Sequence, residues 1–126
     1  AVGGAPGAGE TAARRLGERY PEANIRTRHG FFDISPGSAE NAAVLAEVAA
    51  FRPHVLFVGM GMPRQEAWIV ANLDRLPACA ILSVGAAFDY EAGVQTAAPR
   101  WTGRLGLEWA IGWRAIQGGQ LARAAE

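Results

Sequence analysis

Two short apolar runs, each closely followed by glycine, constrain the fold of this chain more than any other feature. Residues 54–58 read His-Val-Leu-Phe-Val, and residues 80–84 read Ala-Ile-Leu-Ser-Val. Runs of apolar β-branched and aromatic residues are typical of strands buried on both faces of a parallel sheet. Segments with helical periodicity alternate with these runs. That alternation predicts an α/β fold in which a parallel sheet carries helices on both faces.

Capping residues, proline and glycine mark the ends of the predicted elements. Ser38 caps a helix that Pro53 ends, and a second helix begins at Pro63 and runs to about Leu76. The other predicted elements are a helix over 12–20, a short strand over 25–29 and a helix over 100–116. Residues 1–4 look like the end of a strand, so we expect the chain to be the C-terminal half of a larger domain.

The composition describes one folded domain and excludes several other classes of protein. Of 126 residues, 50% are hydrophobic and 19% are charged, which gives enough apolar surface for a core and excludes disorder. The formal net charge is zero, so bulk basicity does not indicate a nucleic-acid partner. The single cysteine, Cys79, excludes an internal disulfide framework, and its apolar neighbours predict a buried thiol.

We divide the chain into an α/β unit over residues 1–99 and a helical segment over residues 100–126. This segment interleaves tryptophan with arginine, at Arg100, Trp101, Arg104, Trp109, Trp113 and Arg114. Such a helix suits a membrane interface or a partner surface, and a core helix with scattered arginines explains it equally well. The longest uncharged apolar stretch covers only residues 78–88, whereas a membrane-spanning helix needs about 20 residues. No signal peptide is visible.

Three loops follow strands and therefore meet at the edge where parallel sheets bind ligands. The first, residues 3–9, contains Gly4 and leads into a helix, where backbone N–H groups can approach a phosphate. A plain tight turn explains this glycine-rich loop equally well, and as a dinucleotide fingerprint it is a weak match.

The second loop, residues 59–66, follows the first buried strand and combines glycines with three consecutive polar side chains. Arg64 can pair with a diphosphate, Gln65 can hydrogen-bond a base or sugar, and Glu66 can cap its own helix. The alternative is a solvated helix start with ordinary surface charges. We favour a binding site formed with Gly59, Gly61 and Pro63.

The third loop, residues 85–93, begins at Gly85 after the second buried strand. Asp89 is placed to accept hydrogen bonds from ribose or sugar hydroxyls, or else to form a turn or cap. Phe88 and Tyr90 can stack on a base, or pack into the core.

Neither histidine is a good metal ligand or catalytic base. His54 opens a strand at the end opposite the loops, whereas His29 lies near a strand's carboxyl end, where a ligand contact remains open. No histidines and carboxylates show helical metal spacing, so we predict no metal site.

An ordered series of short motifs resembles one known family. The motifs are Gly3–Gly7, Tyr20-Pro21, His29–Phe32, Pro53–Gly59, Gly61–Trp68, Val84–Gly93, Ala98–Trp101 and Gly106–Trp109. Together they resemble the WecG/TagA/CpsF family of bacterial glycosyltransferases, over the chain to about Trp109. The resemblance implies a Rossmann-like fold and inverting transfer of an N-acetylmannosamine-type sugar from a UDP-sugar to a polyprenyl-diphosphate-linked acceptor. It implies neither metal nor cofactor, and places the protein in the cytoplasm, peripheral at the inner face of the membrane, in cell-surface polysaccharide or teichoic acid synthesis.

Carried over by motif, Gln65 and Asp89 are the expected catalytic residues. The expected substrate-binding residues are Gly4, Gly59, Gly61, Pro63, Arg64, Glu66, Gly85, Phe88, Tyr90 and Arg100. The family's proposed general base, an aspartate, lies in a part of the family domain that this chain lacks. Ala97 stands where the family usually has arginine, and the sequence after Trp109 also departs from the family pattern, in the region that the resemblance associates with diphosphate contacts and the membrane-proximal appendage.

Two other functions remain as alternatives. A truncated, non-catalytic nucleotide-binding or interaction module would explain the missing base. A dinucleotide oxidoreductase domain rests only on the first glycine loop. Self-association is a further expectation, because a chain that begins at Ala1 exposes a sheet edge and apolar surface.

Overall fold

The computed structural model describes residues 1–93, which form a parallel sheet with flanking helices. In chain order the elements are β1 (Val2–Gly3), α1 (Ala8–Arg19), α2 (Ala39–Phe51), β2 (Val55–Gly59), α3 (Arg64–Asn72), β3 (Ala80–Ser83) and α4 (Ala87–Glu91). The strand order is β1-β2-β3, and both pairs are parallel. The predicted α/β, Rossmann-like class is confirmed. The helix over 100–116 and the boundary at residue 99 lie outside the described residues.

The hydrophobic core lies on one face of the sheet, under α2 and α3. Alternate residues of a strand point to opposite faces, and in β2 it is Leu56 and Val58 that are buried. The core cluster consists of Val2, Phe32, Val44, Leu45, Val48, Leu56, Val58 and Trp68. Because α2 and α3 both contribute to this cluster, the start of α3 is fixed relative to the end of β2.

A buried polar network joins α2 to α3 inside this core. Trp68 Nε1–H donates to Asn41 Oδ1 at 2.8 Å, and Asn41 Nδ2 donates to Asn72 Oδ1 at 3.0 Å. Asn72 Nδ2 in turn donates to the Trp68 carbonyl at 2.8 Å. All three side chains are at least 98% buried, so the network satisfies polar groups that water cannot reach.

Within residues 1–93 the other face of the sheet is left exposed, which corrects the prediction of strands buried on both faces. Val55, Phe57 and Leu82 are 41%, 39% and 47% exposed. Between this face and α1 lies an open cavity of about 520 Å³, which Ala12 and Leu16 help to line. Within residues 1–93 the helix α1 flanks this face without covering it.

Helix α2 begins and ends as predicted. Ser38 Oγ accepts a hydrogen bond from Asn41 N–H at 3.0 Å, which satisfies one of the free donors of the first turn. Arg52 caps the other end in the left-handed region (φ 50°), immediately before Pro53.

Other predicted elements differ from the structure. The strand over 25–29 is reduced to a single bridge between Arg28 and Val2, because β1 offers only two residues for pairing. Helix α3 ends at Asn72 rather than near Leu76, and a turn follows it, in which the Asn72 carbonyl accepts from the N–H groups of both Arg75 and Leu76. Cys79 is half-buried rather than buried, because it lies beside the exposed strand β3.

Candidate functional site

The loops after β1, β2 and β3 lie side by side at the carboxyl edge of the sheet. Gly4 N–H donates to the Gly59 carbonyl at 3.0 Å, and Val84 N–H donates to the Val58 carbonyl at 2.8 Å. The segment after Arg28 joins the same edge, where Gly30 N–H donates to the Gly4 carbonyl at 3.0 Å. The three predicted loops therefore converge, as parallel strand topology requires.

Glycines make this edge because side chains do not fit there. Gly3 pairs with Gly59 in the sheet, and a Cβ on Gly3 would lie 2.3 Å from the Gly59 carbonyl oxygen. A Cβ on Gly59 would lie 2.7 Å from the Gly85 carbonyl oxygen and 2.8 Å from the Phe88 ring. The positions of Gly3 and Gly59 are thus explained by close packing of backbone and an aromatic ring, whereas Gly85 has open space around its Cβ position and adopts a left-handed conformation (φ 54°).

The third predicted loop contains the short helix α4, for which the sequence analysis predicts no helix. Phe88 in α4 is 8% exposed and its ring lies over Gly59, so it packs as a core residue. Asp89 is part-buried and its Oδ1 accepts from Ala5 N–H at 3.2 Å, which joins the third loop to the first. Tyr90 is 46% exposed and leaves its ring open to a ligand.

Arg64 begins α3 and holds the segment after Arg28. Its Nη2 donates to the Gly30 carbonyl at 3.3 Å and to the Phe32 carbonyl, and its guanidinium lies 5.9 Å from the centre of the Phe32 ring. Sequence reasoning missed this contact. The available signal was Gly30, directly after the predicted strand, which gives the chain room to pass Met60 and Gly3.

Gln65 joins the second loop to the third. Its side chain is 3% exposed, its Oε1 accepts from Gly85 N–H at 3.2 Å, and its Nε2 donates to Glu66 Oε1 at 2.8 Å. Glu66 Oε2 is buried and has no hydrogen-bond partner within residues 1–93. Glu66 therefore contacts its neighbour Gln65, rather than capping its helix as the sequence reading expected.

The start of α3 is a helix N-terminus that follows a glycine turn. Gly61 adopts a left-handed conformation (φ 77°), and its carbonyl accepts from Gln65 N–H at 3.0 Å. Helix α3 begins at Arg64, one residue later than predicted, and Pro63 occupies the N-cap position. The N–H groups of such a first turn carry a partial positive charge that attracts phosphate.

Other predictions have separate outcomes. His29 Nδ1 is buried without a partner among the described residues, and His54 is exposed. Arg100 and the tryptophan-rich segment lie outside residues 1–93. In this range no three His, Cys, Asp or Glu side chains group to hold a metal ion, and no helix is both long and apolar enough to cross a membrane.

Comparisons with known proteins give one family. The profile of the "Glycosyl transferase WecG/TagA/CpsF family" matches residues 1–118. An N-acetylglucosaminyldiphosphoundecaprenol N-acetyl-beta-D-mannosaminyltransferase of Staphylococcus aureus (strain MRSA252) is 32% identical over 112 residues, which cover 86% of this chain and 42% of the relative. The protein of the same name in strain MW2 is 32% identical over 100 residues, covering 79% of this chain and 37% of the relative. The chain thus spans less than half the length of these curated relatives.

Proposed function

Because this chain belongs to the WecG/TagA/CpsF family of glycosyl transferases, we propose that it forms the donor-binding part of a UDP-sugar glycosyltransferase. The enzyme would transfer an N-acetylmannosamine-type sugar or a related hexose to a polyprenyl-diphosphate-linked acceptor, with inversion. Its product would feed cell-surface polysaccharide or teichoic acid synthesis. The family match over residues 1–118 is the observation that carries this proposal.

The diphosphate of UDP would lie against the first turn of α3. The partial positive charge of this helix start, next to Gly61, favours negative charge, and negative charge increases on UDP as the sugar departs. Arg64 adds a permanent positive charge at the same turn. Only its Nη2 is used by the Gly30 and Phe32 carbonyls, so its other N–H groups remain to pair with phosphate oxygens.

The sugar and the base would contact the third loop. Asp89 uses one lone pair of Oδ1 for Ala5 N–H, so the remaining acceptor capacity of its carboxylate is available for sugar or ribose hydroxyls. The exposed ring of Tyr90 offers a stacking surface for uracil. Gln65 is buried, so it would act on the sugar by holding the third loop through Gly85 N–H rather than by direct contact.

The proposal for the acceptor rests on the relatives, whose name specifies a lipid-linked diphosphate acceptor. We propose that this chain takes the same class of acceptor at the inner membrane face, with a peripheral membrane contact. An inverting transfer also needs a base that removes the acceptor proton. We assign that role to no residue between 1 and 93.

A non-catalytic nucleotide-binding or interaction module is the second candidate function. One observation favours it: Arg64, Gln65 and Asp89 all bond to the protein itself, joining separate loops. Side chains used in this way can serve as loop tethers without catalysing a reaction. Self-association through the open face of the sheet would suit such a module.

The test is an amide NMR titration of the 126-residue chain with UDP, and with NAD as the matched control nucleotide. We expect UDP to shift signals from residues 59–66 and 85–93, and NAD to leave them unchanged. A dispersed spectrum that UDP does not change would contradict the donor-site proposal. Transfer of sugar from a UDP-sugar to a polyprenyl-diphosphate acceptor then separates an enzyme from a binding module.

A further inference from the structure

The Gln65 side chain is held at both ends by groups of opposite hydrogen-bonding character. On one side the Glu66 carboxylate lies 2.8 Å from Nε2, and on the other the Gly85 N–H lies 3.2 Å from Oε1. An ionised carboxylate only accepts hydrogen bonds and a backbone N–H only donates them. A half-turn of the Gln65 amide would bring oxygen against oxygen and N–H against N–H.

From this geometry we propose that Glu66 is a positioning residue, which fixes the Gln65 amide and through it the loop that begins at Gly85. The Gly85 N–H and the Glu66 carboxylate favour the same orientation of the amide, and the carboxylate also repels the amide oxygen in the flipped orientation. Because Gln65 is 3% exposed, water does not replace either partner when one is lost.

The burial of Glu66 explains why it acts through its neighbour. Its Oε1 is occupied by Gln65, and its Oε2 has no solvent contact in this structure. Oε2 is therefore closed to a substrate, and Oε1 is already used to hold Gln65 Nε2. Glu66 therefore influences a ligand by setting the position of groups that a ligand does reach.

Those groups follow directly along the chain from Gly85. Helix α4 begins two residues later and presents Asp89, whose carboxylate bonds to Ala5 N–H in the first loop. Loss of the Gln65–Gly85 bond releases one of the contacts that hold this loop. The consequence for nucleotide affinity rests on the proposed function, whereas the tether itself is measurable without any ligand.

The experiment measures hydrogen exchange at the Gly85 amide and the side-chain amide signals of Gln65 in the 126-residue chain. Glu66→Ala should speed exchange at Gly85 by about tenfold, the amount expected when a charge-assisted hydrogen bond that orders its partner is removed. Glu66→Gln should restore most of the protection, because an amide oxygen also accepts from Gln65 Nε2. Glu10→Ala, in the exposed first turn of α1, is the matched control.

Two further variants test whether Glu66 acts on Gly85 through the Gln65 amide. Glu66→Asp retains the charge but shortens the side chain by one methylene, so it should resemble Glu66→Ala, and it replaces that variant should the latter fail to fold. In a Gln65→Ala background, Glu66→Ala should cause no additional change at Gly85, because the connecting amide is already absent. An unchanged Gly85 exchange rate in both Glu66→Ala and Glu66→Asp, or an equal additional loss in the double variant, overturns the proposal.

Titration with UDP separates this proposal from the proposed function. If Gly85 responds to Glu66→Ala but the wild-type chain ignores UDP, the positioning role stands and the donor site fails. If UDP binds and Gly85 ignores both Glu66 variants, the donor site stands and the positioning role fails.

Discussion

The indole N–H of Trp68 donates to Oδ1 of Asn41 at 2.8 Å, and both side chains are fully buried. This bond belongs to the buried polar network that joins α2 to α3 within the described core. It determines how α3, and therefore the first turn with Arg64 and Gln65, sits on the sheet.

Removing the Asn41 side chain should destabilise the protein strongly. Asn41→Ala leaves the Trp68 indole N–H and Asn72 Oδ1 without partners in a site that excludes water, and each unsatisfied group costs about 1–3 kcal/mol. We expect the free energy of unfolding to fall by about 2–4 kcal/mol in urea denaturation. Asn24→Ala, at an exposed position, is the control, and an equal effect of both variants would contradict this role.

Adding one methyl group at the carboxyl edge should disrupt the site. In Gly59→Ala the new Cβ meets the Gly85 carbonyl oxygen and the Phe88 ring within 3 Å, so β2, β3 and α4 must separate. We expect a loss of about 1–3 kcal/mol in unfolding free energy, typical of overpacking.

Gly17→Ala is the matched control for Gly59→Ala. Gly17 lies inside α1 with open space around its Cβ position, so alanine should stabilise the chain by about 0.5–1 kcal/mol. Equal effects at the two glycines would show that the packing at Gly59 is not tight.

Shortening Arg64 should loosen the segment after Arg28, and this effect should be measurable without nucleotide. Arg64→Ala removes the donor to the Gly30 and Phe32 carbonyls, so amides of residues 31–33 should exchange several-fold faster in the absence of any ligand. Arg75→Ala, on an exposed turn, should have no such effect. Unchanged exchange in this segment would contradict the role of Arg64 in holding it.

Acid should weaken the turn that precedes α2. Hydrogen bonds from the side chain and backbone of Ser35 hold the pKa of Asp33 below its ordinary value. The stabilisation is therefore complete above the ordinary pKa of about 4 and is lost as pH falls through the lowered pKa of the folded state. Asp33→Asn should remove this part of the acid dependence in unfolding measured at pH 2–7. An unchanged pH dependence would exclude Asp33 as its source.

The sequence predicts those elements whose local signals agree. Helix α2 has a capping serine at its start and a proline just beyond its end, and the structure confirms both. The convergence of the three loops also follows from the sequence pattern, because glycine after an apolar strand identifies the carboxyl edge of a parallel sheet.

Other features depend on contacts that lie far apart in the chain. The apolar run of β2 reads the same whether one face or two are covered, so the exposure of Val55 and Phe57 has no local signal. The polar character of Arg64 and Gln65 is visible in the sequence, but the carbonyls and N–H that they bond lie 20 to 34 residues away. Sequence reasoning therefore predicted that the loops meet at one edge of the sheet and missed the bonds between them.

The placement of Arg64 and Gln65 on consecutive residues has a mechanical consequence. One side chain reaches Gly30 on the far side of β1, and the other reaches Gly85 beyond β3, so two loops on opposite sides of β2 are fastened to a single helical turn. A rotation of that turn would therefore move both loops together. The distance between the Gly30 and Gly85 segments therefore depends on two side chains that share one peptide unit.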